Sequence, residues 1–432
     1  MELRKALQLI AGLLLLSAPL LAQGKRLWVL RAPGEMVEYD PATLAVRQTV
    51  KVPAEAVQLP GNISVNRLGQ ILFATAVSLP LSKEDAAAAH PVWFWDGHTA
   101  ATLDLGVKRE VIGAGSNEAV TETAPAVYLA ADGAHLFWFA NQARRLQREG
   151  VDLSTTTTWQ AWQTDLNGAA REDLATVKFP DCRCTTGTCE ESCPYGVVWA
   201  GENGVQKFFL MTQFVTGQTE PEYKATTRYQ EAAGKWTVDA LAEPLQRLLD
   251  ASADGKTMVE AIPDTGCCGW SNQSNDQTLV LSDGKKRAVF DERATYQNPD
   301  YDVSFYTSNA RLSPESGLVA MTIASTAETN KPMQLAEDGQ ANPEESQRIR
   351  KALAELPAVE VKSIDAKSID AKSIEDVPRR VAFVPHAVLV GWISEKEILI
   401  VEDHLLEAYN VVTGARRKSS VRVEDVERVF LR

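Results

Sequence analysis

The chain has very little of what common catalysts are built from. Histidine occurs only five times in 432 residues, at His90, His98, His135, His386 and His404. There is no Gly-x-Ser-x-Gly elbow, no His-Glu-x-x-His pair, no phosphate-cradling glycine loop and no sialidase-type Asp box. Those absences exclude the usual serine-hydrolase, zinc-hydrolase and nucleotide sites. A basic excess is also missing: 44 Lys and Arg stand against 57 Asp and Glu, a net charge of -13 with the signs mixed along the chain. That balance argues against a nucleic-acid footprint and favours solubility. No apolar run after residue 22 is long enough to span a bilayer, so no membrane span is expected once the leader is removed. Cysteine is scarce, six residues in two groups.

The leader itself is plain. Arg4 and Lys5 give a charged start, Ala6 to Ala22 is almost wholly apolar, and Leu20-Leu21-Ala22 precedes Gln23-Gly24. This pattern reads as a cleavable secretory signal over residues 1–22, with a membrane anchor as the competing reading. The segment is short for a spanning helix of about 20 residues. No cysteine follows the cleavage point, so lipid anchoring finds no support. A periplasmic or extracellular location is expected, with residues 23–432 as one domain.

What is abundant is a repeated phrase: an apolar stretch, a tight polar turn, a second apolar stretch. It occurs at Ile63–Ala74, Val127–Phe139, Val197–Met211, Leu248–Ile262, Ala310–Ile323 and Val390–Val401. Between phrases lie two more strand-like runs, as in Val92–Asp96 with Ala101–Leu105 and Leu406–Val411 with Ser419–Val423. Their turns carry Asp96-Gly97, Asn167-Gly168, Asp283-Gly284 and Thr413-Gly414, where glycine allows a positive φ. Each unit is therefore four antiparallel strands, A to D. The mature chain opens with B, C and D strands lacking an A (Leu27–Leu30, Met36–Asp40, Arg47–Val52) and closes with Arg428–Arg432, an A lacking its B. Joining the two ends removes both open edges, so an all-β, seven-bladed β-propeller of four-stranded blades is expected.

The turns Ser313-Pro314-Glu315-Ser316-Gly317 and Ala253-Asp254-Gly255-Lys256 approximate a Ser-Pro-Asp-Gly-Lys turn. In these the chain resembles the TolB-like, WD-repeat-like β-propellers of exported bacterial proteins. The resemblance spans the mature chain and implies a single propeller domain. Only one Trp-Asp pair occurs, Trp95-Asp96, and no separate N-terminal domain of the TolB kind is expected in residues 23–432.

Blade six carries an insertion at about 326–380. Asn342 caps and Pro343 opens a short helix through Leu356, with Ile349, Leu353 and Leu356 on one face. Lys362 to Ile374 then repeats Lys-Ser-Ile-Asp-Ala, a solvated linker or an edge strand grown by duplication. Val359–Ile364 and Val381–Val384 are the candidates for its C and D strands; without them the ring has six blades.

Strand assignment sorts the connections by face. Most A–B and C–D turns are short, whereas B–C and D–A connections include Thr75–His90, Val107–Ala124, Asn141–Thr158, Pro180–Tyr195, Pro263–Gln277, Arg293–Thr307 and the stretch from Ser325 onward. Loops of that length usually carry function, so binding is expected on this face, where only His90 among the histidines is expected to lie. Both cysteine groups fall there: Cys182, Cys184, Cys189 and Cys193 in a D–A connection, Cys267 and Cys268 in the B–C connection of the next blade. In an exported chain six cysteines read as three disulfides, with at least one bridge between the two loops, because adjacent cysteines can bond to each other only in a strained ring. The alternatives are a structural thiolate metal site, although the spacing Cys-x-Cys-x4-Cys-x3-Cys is unlike paired zinc motifs, and redox-active thiols. Asn298-Pro299-Asp300-Tyr301-Asp302 reads as a polar turn, with calcium binding as the alternative. No other cofactor is expected.

Trp28, Trp93, Trp138 and Trp392 fall in strands, where burial between blades is expected. Trp270 follows the cysteine pair in a loop with Asn272, Gln273 and Asn275, and with Tyr195 and Tyr301 it makes either a recognition surface or a plug beneath a disulfide knot. Arg144, Arg145 and Arg148 add charge to the same face. The sequence therefore predicts a non-enzymatic binding or scaffold module for a protein, peptide or glycan. The alternatives are a hydrolase or lyase with acidic residues at the central channel, since propellers host many chemistries, and a structural module in an envelope complex.

Overall fold

The computed structural model describes residues 25–53, 60–75, 91–104, 118–122, 126–130, 132–148, 151–179, 182–183, 194–199, 208–216, 221–232, 235–252, 255–262, 277–282, 285–291, 305–325, 343–364, 379–424 and 428–432. Blade 1 begins with β1 (Leu27–Arg31), β2 (Glu35–Tyr39) and β3 (Val46–Lys51), and blade 2 is β4 (Pro60–Val65), β5 (Ile71–Thr75), β6 (Pro91–Trp95) and β7 (Ala100–Asp104). Strand β8 (Glu118–Glu122) precedes blade 3, made of β9 (Ala126–Leu129), β10 (His135–Arg148), β11 (Val151–Asp165) and β12 (Glu172–Lys178), and β13 (Cys182–Arg183) follows it. Blade 4 is β14 (Pro194–Trp199), β15 (Phe208–Thr216), β16 (Pro221–Ala232) and β17 (Lys235–Ala240); blade 5 is β18 (Arg247–Ala251), β19 (Thr257–Ile262), β20 (Gln277–Ser282) and β21 (Lys285–Asp291). Blade 6 is β22 (Phe305–Leu312), β23 (Leu318–Ser325), helix α1 (Pro343–Ala354), β24 (Ala358–Ser363) and β25 (Arg380–Pro385). Blade 7 is β26 (Ala387–Ser394), β27 (Glu397–Glu402), β28 (Leu405–Asn410) and β29 (Arg416–Arg422), after which β30 (Val429–Leu431) returns to blade 1.

Blade 1 has the order β3-β2-β1-β30, so the termini close the ring as expected, and the count is seven rather than six. The closure pairs Leu27 with Leu431, Trp28 with Phe430 and Val29 with Val429. Arg26 and Arg432 extend it by exchanging backbone hydrogen bonds at 2.5 and 2.8 Å.

The cores lie between blades because both faces of each sheet are apolar. Trp28 meets Trp95 edge-on at 5.4 Å between blades 1 and 2, and Trp138 stacks on Trp162 at 5.9 Å while its Nε1 donates to Thr164 Oγ1 at 2.9 Å. Trp159, Phe209 and Tyr229 share the cluster between blades 3 and 4. Trp28, Trp93, Trp138 and Trp392 are all buried. Side-chain hydrogen bonds then tie neighbouring blades: Leu129 N donates to Ser64 Oγ (3.0 Å), Leu312 N to Asp250 Oδ2 (2.8 Å) and Leu389 N to Thr322 Oγ1 (2.9 Å).

Buried glutamates recur within the sheets. Glu38, Glu360 and Glu407 occupy the C strands of blades 1, 6 and 7, and Glu260 the B strand of blade 5, all buried. Their charge is met by basic side chains, most of them from the outer strand: Arg26 at 3.3 Å and Arg47 at 3.7 Å for Glu38, Arg380 for Glu360, Lys418 at 3.5 Å for Glu407 and Lys286 at 3.0 Å for Glu260. A buried carboxylate without such a partner costs several kcal/mol, on the order of 3 to 5.

The insertion of blade 6 proves to be two separate ones. Strands β24 and β25 stand where the missing C and D strands were expected, so the helix lies in the B–C connection and the Lys-Ser-Ile repeat in the C–D connection, at the other end of the blade. Helix α1 buries Ile349, Ala352 and Leu353 against Phe305, with Leu356 alongside. The first repeat copy enters β24: Lys362 is buried and the Ile364 N–H donates to Gly317 O at 2.8 Å.

Candidate recognition face

On the side where B–C and D–A connections emerge, two hairpins run past the blades that bear them. Strand β10 pairs with β9 only over Leu136–Phe139, yet it continues to Arg148 alongside β11. The overshoot recruits its own partners. Strand β8 pairs with Gln142–Leu146, and β13 pairs with Ser154 and Thr155. The result is an extension of the same sheet, β8-β10-β11-β13, which makes the sheet of blade 3 six-stranded. In blade 4, β15 and β16 likewise run on together to the pair Thr216 and Pro221.

This corrects the expectation that Asn141–Thr158 is a loop. Arg144, Arg145 and Arg148 lie on strand β10, and only residues 149–150 separate it from β11. Similarly, β8 lies within the expected loop Val107–Ala124, and β13 and the start of β14 within Pro180–Tyr195. The physical reason is hairpin pairing: a strand whose backbone is matched by a neighbour needs no core beneath it.

The register brings some of the expected residues together. Arg145 stands opposite Ala119 and Thr155, and Thr155 opposite Cys182, so arginine and first cysteine share one rung two strands apart, about 10 Å. Arg144 occupies the adjacent rung with Val120 and Thr156, and the rung of Leu146 carries Glu118, Ser154 and Arg183. Arg148 pairs with Val151 at the tip. In blade 4, Tyr195 stands opposite Phe214, and Phe214 opposite Tyr223, an aromatic rung. Sequence reasoning missed Phe214 and Tyr223, and it missed β8 and β13. The β-branched run Thr155–Thr158 was the available signal, since such residues favour strands.

Cys184, Cys189, Cys193, Cys267, Cys268, Trp270, Asn272, Asn275 and Tyr301 lie outside the described residues, as do residues 1–24 and the run Asn298–Asp302. In chain order, Cys184 to Cys193 fall between blades 3 and 4, Cys267 to Asn275 between β19 and β20, and Tyr301 between blades 5 and 6. The histidine placement needs correction. His386 links β25 to β26 and His404 links β27 to β28, both on the long-connection face. Those two connections are so tight that His386 and His404 adopt φ of 58° and 62°. His90 lies outside the described residues.

At the opposite end of the blades, beside the A–B turns, charged groups converge from several blades. The Lys25 ammonium donates to Trp392 O, and Glu395 accepts from Ser313 Oγ at 2.6 Å and from Glu315 N at 2.9 Å. Burial pulls the Lys25 amine down to about 8, Arg67 adds to that, and Asp250 and Glu395 oppose it. The carboxylates here are occupied in joining blades: Asp250 holds the Leu312 N–H and Glu395 holds the turn of blade 6.

No protein-family model and no curated protein matches the chain. Its similarities are to solved β-propeller structures. It aligns with the dihydro-heme d1 dehydrogenase NirN in complex with DHE at 11% identity and a TM-score of 0.33, over 91% of this chain and 72% of that one. It aligns with the WD40 domain of SCAP from fission yeast at 7% identity and 0.36, over 92% and 84%. It aligns with AztD of Citrobacter koseri at 10% identity and 0.36, over 93% and 95%.

Proposed function

We propose that this is an exported, non-enzymatic propeller of the TolB-like kind that binds a protein, peptide or glycan through the face bearing the sheet extension of blade 3 and the overshooting hairpin of blade 4. The observation that carries this reading is the rung Ala119–Arg145–Thr155–Cys182. It sets an arginine-bearing hairpin beside the first member of the cysteine group, where the fold extends paired backbone beyond the four strands of the blade. A hairpin braced by disulfides would present Arg144, Arg145, Arg148 and the Tyr195 rung without a large ordering cost on binding. In this reading Cys182 to Cys193 are bridged at least once to Cys267 or Cys268, and Trp270, Asn272, Asn275 and Tyr301 complete the surface.

The test has two arms. Non-reducing peptide mapping of protein secreted with its leader intact should find at least one bridge between the two cysteine groups; several free thiols would remove the brace from the proposal. A peptide and glycan array probed with parent protein and with R144E/R145E/R148E should show ligands lost by the variant, by roughly tenfold or more for charge-assisted contacts. Identical array profiles for the two would discard this face.

A further inference from the structure

The outer strands of the seven blades are not alike. Strand D of blades 2, 3, 4 and 5 contains Asp104, Glu172 with Asp173, Asp239 and Asp291 respectively. Strand D of blades 6, 7 and 1, the strands β25, β29 and β3, contains no acidic residue at all and instead carries Arg380, then Arg416, Arg417, Lys418 and Arg422, then Arg47 and Lys51. Three consecutive blades of a chain with net charge -13 thus turn a purely basic edge outward. The carboxylates that partner several of these cations, Glu38, Glu360 and Glu407, lie buried one strand inward. Positive charge is therefore on the solvent side of each pair.

A second, independent feature falls at the same place. Among the described residues the exposed large hydrophobic side chains are Val46 (59% exposed), Val238 (60%), Val381 (37%) and Val412 (65%). Three of the four belong to these three blades. They also lie at one end: Val46 and Val381 stand in the first two residues of β3 and β25, and Val412 in the turn between β28 and β29, so all three flank C–D turns. Arg47, Arg379, Arg380 and Arg416 to Lys418 lie beside them. Protection of a sheet edge against pairing would explain basic residues, but it would not leave valines uncovered among them.

We propose that the C–D end of the rim of blades 6, 7 and 1 docks on an anionic phospholipid surface. Cations spread over three blades match a plane of negative headgroups, and each contributes a similar, salt-screened share. The short aliphatic side chains reach past the headgroups into the region where water is already depleted, which an acidic polypeptide would not reward. This surface lies at the opposite end of the blades from the recognition face and would leave that face pointing away from the membrane.

The experiment is co-sedimentation of the full chain with phosphatidylglycerol vesicles and with phosphatidylcholine vesicles. The parent should pellet with the anionic vesicles, release as salt is raised, and stay in solution with the neutral ones. R379E/K418Q should weaken anionic binding ~10-fold or more, and V412D should weaken it separately. V412D should melt at the parent temperature, and R379E/K418Q within a few degrees of it, because Arg416 at 3.6 Å still partners the buried Glu407; R144E/R145E/R148E, altered on the other face, should bind vesicles like the parent. Absence of binding to anionic vesicles, equal binding to both vesicle types, or unchanged binding by R379E/K418Q would overturn the proposal. Retention on a polyglutamate matrix without vesicle binding would also overturn it, in favour of an acidic protein partner.

Discussion

Lys25 shows how a single side chain can report on ring closure. Its amine is largely buried beside the A–B turns, held by the Trp392 carbonyl, and its pKa falls to about 8 against 10.5 when unfolded. The unfolded chain therefore keeps a proton that the folded one releases between those values, so stability should rise with pH from about 8 to 10.5 by up to ~1.4 kcal/mol per unit. Urea unfolding of the parent at pH 7.5 and at pH 10 should show this gain, and Lys25→Met should abolish most of it. A parent whose stability is flat across that window would mean that Lys25 is not buried in solution. The opposite arrangement holds at Lys286, whose pKa is raised by Glu243 and Glu260 despite burial; its proton is stabilised by the fold rather than penalised.

Among elements, the blade 3 hairpin is distinct in contributing little to the ring. Beyond Ala140 its partners are β8 and β13, not the blade's own A strand. Replacing residues 143–156 by Asn-Gly should therefore leave a folded propeller, with a melting temperature within a few degrees of the parent, while ligands found on the array are lost. A collapse of the near-ultraviolet tryptophan signal would show instead that the sheet extension supports Trp159. This hairpin is also where sequence reading fell short. Residues Gln142–Gln147 and Asp152–Thr158 are polar with scarcely an apolar position, so no period-2 alternation marks them as strands; alternation arises only where one face is buried. The six phrases were legible for the converse reason, since each strand there feeds a core between blades. The helix was legible from its Asn-Pro start and its spacing of Ile349, Leu353 and Leu356. The buried glutamates were not. In sequence Glu38, Glu360 and Glu407 look like solvent-facing residues, and only pairing with the D strand reveals why they can be inside. The rest of the site depends on cysteines whose partners no spacing can fix.

For the whole molecule, stability depends on a junction of three residue pairs between β1 and β30. Removing residues 428–432 would expose Trp28 and the edge of β1 and discard the buried Phe430 and Leu431, a loss of ~3 kcal/mol or more from apolar burial alone. The truncated protein should unfold at lower urea, and hydrogen exchange should accelerate first in β1 and β2 rather than in blades 3 and 4. Uniform acceleration around the ring would show that closure is cooperative over all seven blades. The same junction sets a timetable. Residues Leu27–Lys51 are made about 380 residues before their missing neighbour, Val429–Leu431, so blade 1 must wait with an open edge while blades 2 to 7 are synthesised. Blades 2 to 7 can each be completed from contiguous sequence as they appear, but the ring itself cannot close before Leu431 is made. A polypeptide so ordered stays threadable through six blades of synthesis, and closing the ring joins an old strand to a new one.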